Sequence, residues 1–384
     1  MLDFTEEQLM IRDTVRRMSN EKIAPRAAEI DETDDFPWDI VGLYKENGTL
    51  KLVLPELYGG VGADTTTLCL AMEEISRVSA SCACIVFSTE ALIHILVQAA
   101  TQEQKDRFFP KLSQGDKISA FALTEPNAGS DANAITTNAL LKDDYYILNG
   151  RKCFISNAIV SDFYLVFSRI KTQAKKRDIS VFVVEKDTPG FSMGKKENKM
   201  GLRGNPLADI IFDDARVPKE NIIGKEGEGW IILGQVANQM RLYGASAMGL
   251  GIAQGALDYA AEYAKGRYQF GKPIAALQAI QFMLADMAIQ TEAVRSILYR
   301  TAQMIDRGEG SVTEIASLVS MSKCLSGDNA VRVGTDAVQI LGAYGYIKDY
   351  PVERMMRDAK SVQIYDGTNQ IQRVVISRNM LGMK

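Results

Sequence analysis

The sequence holds a single histidine, His94, and five scattered cysteines among 384 residues. One histidine leaves a His-based triad or general base a single candidate, and it starves a zinc site of ligands. Cys82 and Cys84 form a C-x-C, but no second pair stands ready to complete four ligands. No metal is expected. His94 lies in the apolar run Leu92–Leu96, which reads as a core position. Cys69, Cys82, Cys84, Cys153 and Cys324 are odd in number and irregular in spacing, which argues against a disulfide framework and for buried thiols. Basic charge is not in excess either. Lys and Arg number 44 against 48 Asp and Glu, a net charge of −4, so a nucleic-acid partner is not expected. A local basic groove for a phosphorylated ligand remains compatible with that balance. No stretch of 18 apolar residues without charge appears, and no membrane span is expected. The acidic start, Met1 to Gln8, has neither signal nor transit character, and a cytoplasmic location is expected. No G-x-G-x-x-G follows a strand-like run, so a Rossmann cofactor site has no support.

What is present is an ordinary globular composition, 46% hydrophobic and 24% charged, long enough for two or three packed units. Residues 1–117 read as helical: Thr5 and Gln8 have capping-box spacing, and Leu68–Arg77 and Ala91–Ala100 carry helical periodicity. The loop Pro55–Gly60 separates two of these helices. Residues 118–228 change character. Strand-like runs at Ser119–Thr124, Tyr145–Asn149, Phe163–Ser168, Ile179–Val184 and Asp209–Phe212 lie close together, punctuated by Asn149-Gly150 and Pro189-Gly190. Without intervening helices they predict an antiparallel sheet or small barrel. From 229 to 384 long helices return. Ile280, Leu284, Met287, Thr291, Val294 and Leu298 step by 4, 3, 4, 3, 4, the seam of a helical bundle. Gly249 and Gly251, inside a helical pattern, read as a close helix contact.

Four segments are unusual enough to carry chemistry. Leu123–Asp131 (LTEPNAGSD) ends a strand in hydroxyls, a glycine turn and free backbone N–H groups, suited to polar ring edges or anions. Arg267–Pro273 (RYQFGKP) supplies a cation, an aromatic ring and a glycine stop where a long helix ends. Gln339–Gly345 followed by Tyr350–Arg354 offers small residues for a close approach. Ile364–Gln372 (IYDGTNQIQ) places a carboxylate, Asp366, before a glycine and between two helical stretches, with Thr368, Asn369 and Gln370 able to cap the next helix. Each segment taken alone is also compatible with an ordinary turn or helix end.

Together with Pro55–Gly60, Asn149–Asn157, Val217–Asn221 and Arg357–Lys360, these segments make the chain resemble the acyl-CoA dehydrogenase family from end to end. The resemblance implies an α+β, mainly helical fold: an N-terminal helical domain, a central antiparallel β domain and a C-terminal four-helix bundle. It implies FAD as cofactor, an acyl-CoA substrate, an electron-transferring flavoprotein as electron partner, and a homotetramer. It places Phe121, Leu123, Thr124, Phe154 and Ser156 around the flavin ring, with Phe154 where a Trp is frequent. Arg267, Phe270 and Gln278 would meet the rest of FAD. Gln339 and Gly342 would do so from a neighbouring subunit, and Ala343 stands where many relatives have a second glycine. Thr368 and Gln370 complete the cofactor contacts. Ser130, also near the flavin, and Arg241 would hold the coenzyme A portion, and Tyr365 and Gly367 would touch substrate.

The implied chemistry is removal of the α-proton by a carboxylate base and of the β-hydrogen as hydride. The Asp366 N–H and a ribityl hydroxyl would polarise the thioester carbonyl. Asp366 departs from the usual Glu by one methylene. The other position that carries a base in some relatives is here Met240, which cannot serve. Glu90, read as lying at the start of a helix near the acyl pocket, is the second candidate base. With Asp366 it points to a short, medium or alicyclic acyl group. An enoyl-CoA reductase, an oxidase and a non-catalytic flavin or CoA binder are the alternatives.

Overall fold

The computed structural model describes residues 3–170 and 179–383. Met1 and Leu2, which open the N-terminal reading above, lie outside the described residues. The N-terminal region consists of helices α1 (Glu6–Met18), α2 (Ala27–Thr33), α3 (Trp38–Asn47), α4 (Thr65–Ser76), α5 (Ala80–Ala99) and α6 (Gln102–Leu112). The capping box at Thr5 forms: its hydroxyl accepts from the Gln8 N–H at 3.2 Å, and the Gln8 side chain accepts from the Thr5 N–H at 3.0 Å. The first helical N–H groups of α4 find a distant partner, the Asp306 carboxylate, at 2.9 Å from both Thr65 N and Thr66 N.

Helix α5 corrects two expectations. It begins at Ala80, capped by Ser79, and not at Ala91, so Glu90 lies mid-helix and fully buried. Its first half is apolar on every face, which erases the periodicity that would have marked its start. It is also long and apolar enough to cross a membrane, but 89% of its most hydropathic window is buried inside the protein. It is the central helix of the N-terminal core.

The sheet contains β1 (Ser119–Ala122), β2 (Asn138–Lys142), β3 (Tyr145–Ser156), β4 (Phe163–Ile170), β5 (Ile179–Glu185), β6 (Phe191–Lys196), β7 (Leu207–Pro218) and β8 (Ile222–Ile223). The order is β6-β7-β3-β2-β4-β5-β8, with β1 pairing β4. It is not purely antiparallel: β1 and β2 both run parallel to β4. The hairpin β2–β3 lies within the connection from β1 to β4, so the chain returns in the same direction, and strand composition alone carries no sign of this. Side chains of β4 alternate between two cores. Tyr164 and Val166 pack within the sheet domain, while Phe163, Leu165 and Phe167 pack into the helical core.

The C-terminal region begins with a helical rod made of α7 (Gly229–Arg241), a π-helical turn (Leu242–Ser246) and α8 (Ala247–Gly266). The short strands β9 (Tyr268–Gln269) and β10 (Lys272–Pro273) follow, then α9 (Gln278–Asp306), α10 (Val312–Leu341), α11 (Val352–Val362) and α12 (Asn369–Leu381). Helix α10 is the centre: α8, α9, α11 and α12 all pack on it. The bundle is thus wider than four helices. On α9, Met287, Thr291, Val294 and Leu298 are buried, while Ile280 and Leu284 are half-buried. Gly249 and Gly251 allow α8 to close on its neighbours. A Cβ there would come within 2.4 Å of the Ser326 hydroxyl and 2.1 Å of the Ser76 hydroxyl.

Candidate active site

A cavity of about 560 Å³ opens where α5, the sheet and the C-terminal helices meet. Helix α5 contributes Cys84, Phe87, Ser88 and Ala91; the sheet side contributes Phe121, Leu123, Thr124, Ser130 and Phe154–Ser156. The rod contributes Trp230, Met240 and Arg241, and the α11–α12 connection contributes Ile364 to Gly367. A more open groove of about 770 Å³ runs along α9 past Arg300 and Arg307 and contains none of the residues singled out in the sequence.

The sheet wall is held from behind. Lys152 on β3 is fully buried and donates to the Leu123 carbonyl at 3.0 Å and to Glu125 at 2.8 Å. Glu125 also accepts from the N–H groups of Thr136 at 2.6 Å and Thr137 at 2.9 Å. Burial alone would raise the Glu125 carboxyl, but the Lys152 and Thr137 hydrogen bonds outweigh it and hold it at about 2. The loop after β1 is therefore anchored on an ionised pair. Opposite it, the β3–β7 register slips between Lys152 and Ile155, and Phe154 takes φ 57° with its ring 64% exposed. The irregularity turns an aromatic face out to the cavity. Phe154 and Phe121 with Trp230 give the cavity flat apolar surfaces, and Thr124 and Ser156 give it hydroxyl edges.

The α11–α12 turn places Asp366. Asp366 (φ 55°) and Gly367 (φ 83°) are successive left-handed residues, and Thr368 caps α12 through the Ile371 N–H at 3.2 Å. Side-chain hydrogen bonds fix the turn. The Tyr365 hydroxyl donates to the Gly244 carbonyl, inside the π-helical turn, at 2.7 Å. Arg241 Nε donates to the Asp366 carbonyl at 3.3 Å, Lys323 Nζ to the Gly367 carbonyl at 2.7 Å, and Gln372 Nε2 to that same carbonyl at 3.3 Å. Among the described residues, the Asp366 N–H donates to no protein group. Its side-chain Oδ2 is buried with no hydrogen-bond partner. Burial pushes the Asp366 carboxyl above its ordinary range, and the positive charges of Arg241 and Lys323 oppose that without cancelling it.

Glu90 has the opposite surroundings. It is absent from the cavity wall. Its two oxygens accept the N–H groups of Leu52 at 2.8 Å and Val53 at 3.0 Å. Burial pushes it up to about 7 against those two bonds. His94, one turn on, is buried and lowered to about 4 by the same cause; its ring stacks near that of Tyr243 at 6.2 Å.

Of the residues named from the sequence, the cavity gathers Phe121, Leu123, Thr124, Ser130, Phe154, Ser156, Arg241, Tyr365, Asp366 and Gly367. Met240, Arg357 and Lys360, also named above, line it too, while Glu90, Arg267, Phe270, Gln278, Gln339, Gly342, Thr368 and Gln370 do not. Arg267 is the extended residue after α8, its guanidinium 5.2 Å over the Tyr344 ring. Gly271 does not stop a helix: with Phe270 (φ 52°, 90% exposed) it forms the tip of the β9–β10 hairpin. Gln278 and Gln339 are exposed on α9 and α10, Gly342 (φ 62°) ends α10, and Gln370 is exposed on the first turn of α12. Wall and support residues that the sequence reading missed include Phe87, Trp230 and Lys323. Lys323 had a signal, a lysine four residues after Val319 on the inward stripe of α10.

Three family descriptions match the chain in order: acyl-CoA dehydrogenase N-terminal domain at residues 5–116, middle domain at 120–215 and C-terminal domain at 227–381. A Bacillus subtilis protein named acyl-CoA dehydrogenase is 46% identical over 98% of this chain and 99% of its own length. A cyclohex-1-ene-1-carbonyl-CoA dehydrogenase of Geobacter metallireducens is 44% identical over 99% of this chain and 100% of its own. The solved structure of butyryl-CoA dehydrogenase from Megasphaera elsdenii superposes with a TM-score of 0.94 at 38% identity, covering 99% of this chain and 100% of that one.

Proposed function

The chain belongs to the acyl-CoA dehydrogenase family, flavoprotein oxidoreductases acting on CH–CH groups, and from that premise we propose that Asp366 is the base that removes the α-proton of the bound thioester. The observation that carries this reading is the buried, partnerless Oδ2 of Asp366 at the cavity wall. A carboxylate kept from water and free of donors is basic and has an oxygen to offer. FAD is the cofactor of this family; when bound, it accepts the β-hydrogen as hydride. The cavity fits it: Phe154, Phe121 and Trp230 offer flat apolar surfaces, and Thr124 and Ser156 offer hydroxyls to polar ring edges. In this reading the free N–H of Asp366 polarises the thioester carbonyl, and Arg241 and Ser130, both in the cavity wall, hold polar parts of coenzyme A.

We further propose a short or alicyclic acyl group. Aromatic rings gather on the α5 side of the cavity: Phe87 lies 5.8 Å from Tyr243 and 6.2 Å from Tyr365, which favours a compact acyl group over a long linear one. The relative named for a cyclohexene carbonyl thioester supports the same reading. Electron-transferring flavoprotein is the proposed acceptor. Exposed Phe270, Phe282, Ile289 and Tyr346 support self-association, for which a homotetramer is proposed, with Gln339 and Gly342 serving a neighbouring subunit's cofactor. The test is anaerobic addition of acyl-CoAs to the flavin-loaded protein. Bleaching of the flavin absorbance in the parent and not in Asp366→Asn supports the assignment; equal bleaching in both removes it.

A further inference from the structure

The assignment of Asp366 leaves one buried charge unexplained. Lys323 is fully buried near the middle of α10. A buried ammonium is costly unless its donors and its charge are both met. Two of its three donors are met by neutral oxygens, the Gly367 carbonyl at 2.7 Å and the Asn369 side-chain oxygen at 3.0 Å. Its charge is met at longer range, since among the described residues no carboxylate oxygen stands within ion-pair distance of it. The carboxylates that face it are Asp366 and Asp328. Asp328 is already engaged by Arg373 at 2.5 Å, Gln363 at 2.7 Å and Asn369 at 2.8 Å. Asp366 is the one left uncompensated.

We propose that Lys323 is the positioning residue of the catalytic turn: it clamps the Gly367 carbonyl and sets a positive charge behind Asp366 without occupying the oxygen that takes the proton. This rests on Asp366 being the base.

Two observations converge on it. The turn contains successive left-handed residues, the first of them not glycine, and such backbone persists only when its surroundings fix it. Among the bonds to the turn's own carbonyls, the Lys323 bond at 2.7 Å is the shortest; Arg241 at 3.3 Å and Gln372 at 3.3 and 3.4 Å are looser. Both cations near the base, Arg241 and Lys323, hydrogen-bond to peptide carbonyls and not to its carboxylate. The turn thereby gains their field while Oδ2 stays free. Gln372 links the same helix again, accepting from the Ser320 hydroxyl at 2.9 Å, so α10 carries the turn through two side chains.

The groups around Asp366 are few. Arg241 and Tyr243 face it from the rod, Lys323 from α10, and Tyr365 from its own turn. Cys324 and Asp328 on α10, Cys84 and Glu90 on α5 and Cys69 on α4 act at one remove, through Lys323, Tyr365 or Tyr243, and Arg373 on α12 acts on Cys324 and Asp328 in turn. Removing the lysine charge while leaving the rest should raise the protonation midpoint of Asp366, since the charged form loses a favourable neighbour.

The experiment compares the parent with Lys323→Met and Lys323→Gln as flavin-loaded protein. The second variant keeps a donor for the Gly367 carbonyl should the first not fold. Two quantities are read against pH: the rate of anaerobic flavin reduction by an acyl-CoA, and the Asp366 carboxylate band in infrared difference spectra taken against Asp366→Asn without substrate. The expected result is an acid limb displaced to higher pH, with reduction on that limb slowed about tenfold and recovering toward the parent rate at high pH. The carboxylate band should shift in the same direction, and Lys323→Arg should restore both in part. An acid limb and a carboxylate band that stay in place, whether or not thermal stability falls, would overturn the proposal. Asp366→Asn separates the two failures: if that variant still reduces the flavin, the base assignment itself is at fault.

Discussion

Glu90 and Asp366 are both carboxylates withdrawn from water, and burial pushes both above the ordinary range. Their neighbours differ. Glu90 sits mid-helix, and each of its oxygens takes a backbone N–H from the Leu52–Val53 segment. Asp366 sits in a left-handed turn on the cavity wall, with one oxygen bare and two cations held behind it. Burial and a raised midpoint are thus not enough to mark a base. Glu90 is a bracket joining α5 to the loop before Pro55, and a proton accepted there would be taken at the expense of those hydrogen bonds. Asp366 has nothing to give up. The difference lies in hydrogen-bond accounting, which separates a structural carboxylate from one available for chemistry.

This contrast can be broken by substitution. The largest effect is expected at Asp366→Asn, where flavin reduction by an acyl-CoA should slow about 10³-fold, within the usual range for a lost general base. Glu90→Gln should reduce the flavin within about threefold of the parent once loaded, a bound set by its lack of contact with the cavity. Asp366→Glu should cost about 10²-fold on the preferred substrate, because an added methylene moves the carboxylate off its line to the α-carbon. Stopped-flow absorbance checks all three. Phe87→Ala should act on selectivity, improving kcat/KM for linear acyl-CoAs longer than four carbons by about tenfold relative to a cyclic one.

The smallest effects concern stability, and they sharpen the comparison from the other side. Glu90 has a folded midpoint of about 7, above its unfolded value, so its contribution is complete below the unfolded midpoint and is lost as pH rises through 7. Urea unfolding between pH 5 and 8 should show parent stability falling, and Glu90→Gln should flatten that slope. The same variant should cost about 1 kcal/mol at pH 5, since an amide NH₂ replaces one acceptor opposite a backbone N–H. Asp366 is also raised, so its charged form opposes folding above its midpoint. Asp366→Asn should therefore lift the thermal midpoint by about 2 °C at pH 8.

Much of this site was legible in the sequence. Leu123–Asp131, Phe154–Ser156, Arg241 and the Tyr365–Gly367 turn converge on one cavity, as the motifs implied. What failed to show had physical reasons. Helix α5 is apolar all round in its first half, so its start was invisible and Glu90 was misread as a helix-start residue. Strand composition is blind to direction, so the parallel pairing of β1 and β2 with β4 was missed. Gly271 was read as a helix stop, but Gly266 had already ended α8 and the glycine belongs to a hairpin tip. Lys323 stands out as a lysine on the inward stripe of α10, but the carbonyl it meets belongs to a turn far along the chain and could not be read from that stripe. Arg267, Phe270, Gln339 and Gly342 do not line the cavity.

The partnerless carboxylate, and not the hydrogen-bonded one, takes the proton. Anaerobic titration with butyryl-CoA and cyclohexanecarbonyl-CoA, following flavin absorbance in the parent, Asp366→Asn and Glu90→Gln, tests it directly. Bleaching is expected in the parent and in Glu90→Gln, and none on the same timescale in Asp366→Asn. Bleaching in Asp366→Asn with its loss in a folded, flavin-loaded Glu90→Gln would contradict it.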